Sequence, residues 1–212
     1  MRDFPFFTTE NGVAGVTLSR IPYTKEAYIT LHQAHAPRAL LDECVAFCLA
    51  AGAETVYATA KGMGEGYPLH TRILRLQCPK ESLAGSDAAL FPVQAHTFER
   101  WRELYNERMR GVSHAAFLKQ SDKEIILKNA GAYFVHRDQT LLGIGLVEGE
   151  AVKAVASLIP GMGETVLRAL CELITTDTVT LEVAEDNGPA MALYKRLGFL
   201  PVEEVCRWYR VK

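Results

Sequence analysis

One segment of this 212-residue chain limits the possible folds more than any other: residues 178–199, TVTLEVAEDNGPAMALYKRLGF. Its first seven residues have the apolar pattern of a half-buried strand. Asn187 is a favourable N-cap, Pro189 is tolerated in a first helical turn, and Gly198 suits the left-handed position after a helix. Another apolar stretch, FLPVEEVCRWYRV, follows. The segment therefore predicts a strand, a helix with well-defined ends and a second strand.

The predicted helix carries a tyrosine on its apolar face. Ala190, Leu193, Tyr194 and Leu197 recur at helical spacing and share that face. The spacing alone favours a core tyrosine whose hydroxyl is bonded to a neighbour. A tyrosine whose hydroxyl hands over a proton is the alternative.

The rest of the pattern predicts a mixed α/β sheet. Three apolar stretches, AYFVHRD, TLLGIGLVEG and AVKAVASL, are joined by tight turns that favour antiparallel pairing. A helix with Val166, Leu167 and Leu170 on one face then leads to the strand TVTLEVA. In the first half, residues 13–33 predict two strands, residues 37–51 a helix, and ETVYATA and LHTRILRLQ two further strands. An antiparallel meander that feeds a strand–helix–strand crossover makes a mixed sheet.

The domain organisation is predicted from a change in composition. The stretch CPKESLAGSDAALFPVQ is rich in small residues and contains two prolines, which is typical of a linker. We therefore expect an N-terminal α/β part at residues 1–85, a linker at 86–95 and a C-terminal domain at 96–212.

The two halves contain a faint repeat. Residues 27–60 and 151–184 share a strand–helix–strand pattern at an offset of about 125 residues. This similarity indicates either an internal duplication or two unrelated crossovers of similar length.

Charge and composition exclude several kinds of partner. The formal net charge is −2 and basic residues are spread among acidic ones, so we expect no nucleic-acid partner. No apolar run approaches the roughly 20 residues that span a bilayer, and the N-terminal sequence lacks a secretory signal, so we expect no membrane partner. Five cysteines show no metal-site spacing, and Cys44 and Cys48, one helical turn apart, are expected in a core. These features predict a cytoplasmic protein without a metal.

The segment LEVAEDNGPAMALYKRLGF resembles the end of the GCN5-related N-acetyltransferase fold, in which a strand, an Asn, a helix with the pattern A..LY...GF and a closing strand recur. Six residues stand at the family spacing: Asn187, Ala190, Leu193, Tyr194, Gly198 and Phe199. The segment looks closest to the ribosomal-protein-alanine N-acetyltransferases. The resemblance implies this fold for residues 96–212, and residues 1–85 look like a degenerate half of the same fold that lacks the tyrosine-bearing helix.

The resemblance also implies a reaction, in which a bound amine attacks acetyl-CoA directly. Tyr194 matches the family tyrosine that protonates the departing thiolate of coenzyme A. Glu182 stands twelve residues before Tyr194, as the base does in the alanine N-acetyltransferases, and is expected to take the amine proton, directly or through water. A solvent-facing glutamate on a half-buried strand is the alternative for Glu182.

A cofactor site is implied at the strand AVASL and at the start of the helix that follows. Backbone amides there are expected to hold the thioester oxygen and the pyrophosphate. The residues expected to contact acetyl-CoA are Ala156, Leu158, Gly161, Met162, Gly163, Thr165 and Asn187. The sequence departs from the family pattern at three positions. Leu158 replaces an Arg or Gln, Pro160 has no N–H, and Glu164 brings a negative charge to the helix start.

The family fold has two strands after its last helix, whereas this sequence has one. An open position in the sheet would leave backbone groups unpaired. We expect LHTRILRLQ to fill that position, and a strand from a partner chain is the alternative.

The acceptor is expected to be an amine on a small molecule or on a protein, and the chain a monomer or a homodimer. Two other functions compete with catalysis: a non-catalytic module that binds acyl-CoA, and a structural protein that kept the fold without the cofactor.

Overall fold

The chain folds into two compact units. The computed structural model describes four stretches of the chain: 6–61, 63, 66–129 and 131–212. Unit 1 takes in Met1–Ile73 and Val205–Lys212, and unit 2 is Leu74–Glu204. Two strands, β5 and β11, begin in one unit and end in the other.

Unit 1 is a sheet covered on one face by a helix. Its elements are β1 (Phe6–Thr9), β2 (Gly12–Thr17), α1 (Ile21–Thr24), β3 (Glu26–Ala34), α2 (Pro37–Ala50), β4 (Thr55–Thr59), the start of β5 (Leu69–Pro79) and the end of β11 (Leu200–Arg210). The order β1-β2-β3-β4-β11 is antiparallel except for the parallel pair β3–β4. The predicted strands and helix of the first half are confirmed.

The core of unit 1 explains the two closely spaced cysteines. Cys44 and Cys48 point from α2 into a cluster that includes Ile29 and Val56 on the central strands, and all four are fully buried. Burial raises the pKa of the Cys44 thiol to about 11 and that of Cys48 to about 12. Both thiols therefore stay protonated at neutral pH, as expected of core residues rather than of redox or metal-binding groups.

Unit 2 has helices on both faces of its sheet. Its further elements are β6 (Ala89–Pro92), α3 (Phe98–Met109), α4 (Lys123–Lys128), β7 (Ala132–Arg137), β8 (Thr140–Glu148), β9 (Ala151–Ser157), α5 (Gly163–Glu172), β10 (Thr178–Ala184) and α6 (Gly188–Arg196), with 3-10 turns at Lys80–Leu83 and Gln120–Asp122. The strand order is β11-β5-β10-β9-β8-β7-β6. One core cluster joins α5 and α6 to the sheet, and another joins α3 and α4 to its opposite face.

Unit 2 confirms the predicted meander and crossover. β7, β8 and β9 pair in antiparallel fashion, and α5 then connects β9 to the parallel strand β10. Unit 1 has the same element order, with β1, β2 and β3 followed by α2 and the parallel strand β4. In the described part of unit 1 no helix follows β4, whereas α6 follows β10 in unit 2. The repeat in the sequence thus corresponds to a repeat of element order.

The position left open by the single closing strand is filled from within the chain. β5 lies between β10 and β11, which confirms the prediction made for LHTRILRLQ. Leu76 and Cys78 of β5 are buried in the same core cluster as α5 and α6, and the Cys78 thiol donates to the Leu197 carbonyl at 3.4 Å. β5 is therefore a central strand of unit 2, although it precedes the other elements of that unit in the sequence.

The stretch predicted as a linker contains regular structure. β6 lies within residues 86–95 and pairs with β7, with Phe91 opposite Phe134. The sequence did not predict it because its prolines suggest irregular chain, but an edge strand tolerates proline. The compact units also divide elsewhere, after Ile73 and Glu204, since β5 belongs mainly to unit 2. The division into domains at 1–85 and 96–212 stays a prediction, and residues 1–5 lie outside the described residues.

Gly145 allows α5 to approach β8 closely, which gives a test of the packing. A Cβ at Gly145 would lie 2.1 Å from Leu170 Cδ1, and Leu170 is fully buried. We expect Gly145→Ala to lower the free energy of unfolding by about 1–3 kcal/mol, because the overpacked core must shift. Denaturant unfolding measures the loss. Gly111→Ala is the matched control, since no atom lies within 4 Å of a Cβ there. Equal effects of the two substitutions would contradict the packing.

Candidate active site

The helix that carries Tyr194 is built as its sequence predicts. The Asn187 side chain caps α6 by accepting from the Ala190 amide at 3.3 Å. Gly198 has a φ of +90°, and the Phe199 amide donates to the Tyr194 carbonyl at 3.0 Å, which closes the helix. Asn187 therefore acts as a helix cap, and its placement for contact with acetyl-CoA stays a prediction.

Tyr194 is buried on the inner face of α6. It is 7% exposed and its ring lies 5.7 Å from that of Phe199. Tyr194 is therefore in the core, as its spacing indicates, but its hydroxyl has no hydrogen-bond partner among the described residues. Burial, with a contribution from Cys171, raises the pKa of Tyr194 to about 12. The hydroxyl is therefore fully protonated at neutral pH and free to donate.

Glu182 lies on β10 with its side chain in solvent and in an ion pair. Its Oε1 accepts from Arg75 Nη2 at 2.9 Å, and the carboxylate side chain is 43% exposed. Arg75 is on β5 and also bonds Glu203 of β11. The hydrogen bond to Glu182 and the charge of Glu203 raise the pKa of the Arg75 guanidinium. Glu182 is thus neither an isolated surface carboxylate nor a core residue.

Glu182 and Tyr194 lie on opposite faces of the sheet. Tyr194 belongs to the core cluster that contains Leu181 and Val183. Because successive strand residues point to opposite faces, Glu182 points away from that cluster. The two groups therefore do not pass a proton to each other directly. They can act together only on a substrate that lies in an opening of the sheet, where it can be reached from both faces.

An opening between β9 and β10 provides such a place. The two strands pair only at Ala151 with Thr180 and at Val152 with Leu181. Beyond these residues β9 continues to Ser157 and β10 to Ala184, but the two strands no longer pair with each other. A β-bulge begins where the pairing ends, since Lys153 is an extra residue between those that pair with β8. We call this opening the β9–β10 gap.

The register of β9 decides which amides face the gap. The Leu158 amide donates to Leu142 of β8 at 2.8 Å, and Ala156 stands opposite Ile144. Antiparallel hydrogen bonds alternate, so the Ala156 amide faces β8, and the amides of Val155 and Ser157 face the gap. The amides that face the gap are thus those of the two neighbours of Ala156.

The loop before α5 has free donors at some of the predicted positions. Gly161 has a φ of +83° and directs the chain into the helix. Among the described residues the amides of Gly161, Gly163 and Thr165 have no partner. The Met162 amide donates to Ile159 at 3.2 Å, and both backbone groups of Leu158 are bonded, the carbonyl by Arg108 at 2.7 Å. Gly161, Gly163 and Thr165 are therefore the predicted cofactor contacts whose amides remain available.

The negative charge of Glu164 is offset by two arginines. Glu164 accepts from Arg168 at 3.0 Å and from Arg196 of α6 at 3.4 Å. The hydrogen bond from Arg168, the bond from Arg196 and their charges hold the pKa of Glu164 below its usual value. Glu164 is therefore not an isolated negative charge, because it and the two arginines together carry one net positive charge. The loop also lies beside α6, since a Cβ at Gly163 would be 3.3 Å from Leu193.

Sequence reasoning missed four residues of this site: Arg75, Val155, Ser157 and Arg196. Arg196 carried a signal, since it stands two residues after the tyrosine in the last helical turn. The amide directions of Val155 and Ser157 depend on the β-bulge, which changes which residues of β9 face β8. No local sequence pattern predicts that bulge. Arg75 reaches the site through pairing between distant strands, which local patterns do not contain.

Two cavities of unit 2 lie elsewhere. One of ≈ 590 Å³ is next to the 3-10 turn Lys80–Leu83 and the end of α5, and one of ≈ 360 Å³ is lined by residues of β6 to β8, among them Phe91 and His136. Neither is lined by Glu182 or Tyr194, so the candidate site is defined by its strands and donors. In the described stretches no group of three or more His, Cys, Asp or Glu side chains is placed to hold a metal. No helix there is long and apolar enough to cross a membrane.

Comparison with known proteins identifies the fold. No protein-family model and no curated protein matches the chain. A GCN5-related N-acetyltransferase from Kribbella flavida is similar with a TM-score of 0.61 at 12% identity, over 96% of this chain and 58% of that chain. One from Sphaerobacter thermophilus has a TM-score of 0.52 at 15% identity, over 94% and 75%. A tandem GNAT protein from the clavulanic acid biosynthesis pathway has 0.51 at 16%, over 88% and 74%.

These similarities place the chain in a class of mixed α/β folds with a parallel crossover. More specifically, the chain has the GCN5-related N-acetyltransferase fold, as predicted. At these identities the similarity is one of fold. The closer relation to the ribosomal-protein-alanine N-acetyltransferases stays a prediction.

Proposed function

We propose that this protein is an acetyl-CoA-dependent N-acetyltransferase, in which a bound amine attacks the thioester directly. The observation that carries the proposal is the β9–β10 gap with Glu182 on one face and Tyr194 on the other. In a thioester transfer the amine loses a proton and the sulfur gains one, so a base and an acid are needed on the two sides of the reacting carbon.

Each group of the site has one task in this proposal. Glu182 takes a proton from the ammonium form of the amine, whose usual pKa is about 8 to 10.4. The amides of Val155 and Ser157 hold the carbonyl oxygen as negative charge develops on it. As the new C–N bond forms and the C–S bond breaks, Tyr194 gives its proton to the departing sulfur. Starting from the ammonium form, the nitrogen loses two protons, one to Glu182 before the attack and one to solvent as the amide forms. Tyr194 recovers a proton from solvent, so the transfer yields the amide, the thiol and one released proton.

Acetyl-CoA supplies the activated acetyl group, and the loop before α5 is proposed to hold its pyrophosphate. The free amides of Gly161, Gly163 and Thr165 point from a helix start whose partial charge is positive. Arg196, 64% exposed, lies beside this loop through its contact with Glu164. Ala156, Leu158 and Met162 stay in the proposed cofactor site as chain neighbours of the donor residues, and Asn187 stays in it on the family resemblance alone.

The acceptor is proposed to be an amine on a small molecule or on a protein in the cytoplasm, without a nucleic-acid or membrane partner. The chain acts as a monomer or a homodimer. Exposure of Glu182 is consistent with an acceptor that arrives from solvent.

A non-catalytic module that binds acyl-CoA is a second candidate. The occupied backbone groups of Leu158 and the bonded Met162 amide favour it, since fewer donors remain for a pyrophosphate. The two candidates differ in whether thiol is released when an amine is added.

Acetyl-CoA binding is expected and tests both candidates. At 100 times its dissociation constant it should stabilise the folded chain by about 2.7 kcal/mol, because it binds the folded state only. Thermal unfolding with and without acetyl-CoA measures the shift, with free adenine as the control ligand. Thiol release is then followed with spermidine, a lysine peptide and a peptide that begins with alanine. Binding without release would favour the non-catalytic module, and no shift would contradict both.

A further inference from the structure

Arg75 connects three strands on the face of the unit 2 sheet opposite to α5 and α6. It projects from β5 and bonds Glu182 of β10 through Nη2 at 2.9 Å, while Nη1 bonds Glu203 of β11. The arginine side chain is 37% exposed and the two carboxylate side chains are 43% and 52% exposed. Ion pairs with this much solvent contribute little to folding, so stability does not account for the arrangement.

The ion pair with Arg75 engages only one of the two carboxylate oxygens of Glu182. Arg75 bonds Oε1 of Glu182, and among the described residues Oε2 has no partner. One carboxylate oxygen is thereby fixed and the other stays available for a proton. The second bond of Arg75, to Glu203, limits rotation of the guanidinium plane, because a guanidinium held at both terminal nitrogens cannot turn freely.

We propose that Arg75 is a positioning residue for the acetyl transfer: it holds Oε1 of Glu182 so that Oε2 faces the amine. The inference rests on the proposed function, in which Glu182 is the base. It also gives β5 a second role, since the strand that fills the sheet also brings in the group that orients the base. Arg75 itself does not touch the reacting atoms.

The test compares substitutions at both ends of the ion pair. Thiol release from acetyl-CoA is measured with whichever of spermidine, the lysine peptide and the alanine peptide reacts fastest. We expect Arg75→Gln to lower kcat by about 10-fold or more with the KM for acetyl-CoA unchanged, because misplacement of a catalytic group slows chemistry without weakening the cofactor. Arg75→Lys keeps the charge and one bond, and is expected to recover activity to within about three-fold of the wild type.

A double-mutant cycle separates positioning from a structural effect. In the Glu182→Gln background Arg75→Gln should cause no further loss, since the residue to be oriented is gone. Arg100→Gln is the matched control: it removes an exposed arginine ion pair elsewhere in unit 2, to Glu103 of α3 at 3.6 Å, and should change kcat by less than about two-fold. Thermal unfolding of every variant checks that it is folded. If Arg75→Gln is unstable, Arg75→Lys takes its place in the double-mutant cycle.

The outcomes distinguish failure of the positioning role of Arg75 from failure of the proposed acetyl transfer. Loss of activity in Glu182→Gln but not in Arg75→Gln, or additive losses in the double variant, overturns the positioning role and leaves the base role standing. A fully active Glu182→Gln variant, or no thiol release with any of the three amines, overturns the proposed mechanism and the role of Arg75 with it.

Discussion

Tyr194→Phe is expected to lower kcat for acetyl transfer by about 10²–10³-fold, while the Kd for acetyl-CoA stays within about two-fold. A general acid contributes roughly 10²–10⁴-fold, and a thiolate that departs without a proton leaves the transition state less stable. The substitution removes one hydroxyl that has no partner among the described residues, so the fold should survive it. Stopped-flow measurement of thiol release, with calorimetric titration of acetyl-CoA, separates the two quantities.

The pH dependence of the reaction follows from the same environment. The pKa of Tyr194 is raised to about 12 by burial and by Cys171, so its proton is retained across the neutral and moderately alkaline range. Its role as an acid therefore predicts no alkaline loss of kcat from Tyr194 below about pH 10, the ordinary pKa of a tyrosine. A decline centred well below that value would have to come from another group.

The matched control is Tyr133→Phe. Tyr133 lies on β7 in unit 2 and packs against the same core cluster, so this variant also removes one tyrosine hydroxyl from the domain. Its kcat should change by less than about two-fold. If Tyr194→Phe and Tyr133→Phe have equal activity in folded protein, Tyr194 is a core residue and the acid must be sought elsewhere.

Local patterns were enough to predict most of the secondary structure and the helix that carries Tyr194. The cap at Asn187, the glycine at Gly198 and the spacing of Tyr194 all act within a single helix, and the structure has them as predicted. The antiparallel meander and the crossover were also predictable, because hydrophobic period and turn chemistry are local. The role of Tyr194 came from the resemblance and not from its spacing.

Properties that depend on distant strands were not predictable in this way. The amide direction at Ala156 depends on a bulge, and the neutralised charge of Glu164 depends on Arg196 of another helix. Arg75 is 107 residues from Glu182 in the sequence. The position of β5 was predicted because the family fold requires a strand between β10 and β11, which is a global argument about unpaired backbone groups.

β5 is expected to be indispensable to unit 2. A chain that begins at residue 86 should fail to unfold cooperatively, because β10 and β11 would each lose the ladder to β5 and the core would lose Leu76, Cys78 and Leu83. The cost of the unpaired ladders and of the three missing core side chains is expected to exceed the roughly 5–15 kcal/mol that stabilises a domain. Circular dichroism during thermal unfolding measures cooperativity. A cooperative, acetyl-CoA-binding fragment of residues 86–212 would contradict the role of β5.

A substitution pair within β5 tests the same point in the full-length chain. Leu76 is 2% exposed in the core of unit 2, whereas Leu69, on the same strand but in unit 1, is 51% exposed. Leu76→Ala should lower the free energy of unfolding by about 2–5 kcal/mol, and Leu69→Ala by less than about 1 kcal/mol, since only the first leaves a buried cavity. Urea unfolding compares the two. Similar losses at both positions would mean that the side chains of β5 do not support the core of unit 2. Any loss of cooperativity in the fragment of residues 86–212 would then come from the unpaired edges of β10 and β11.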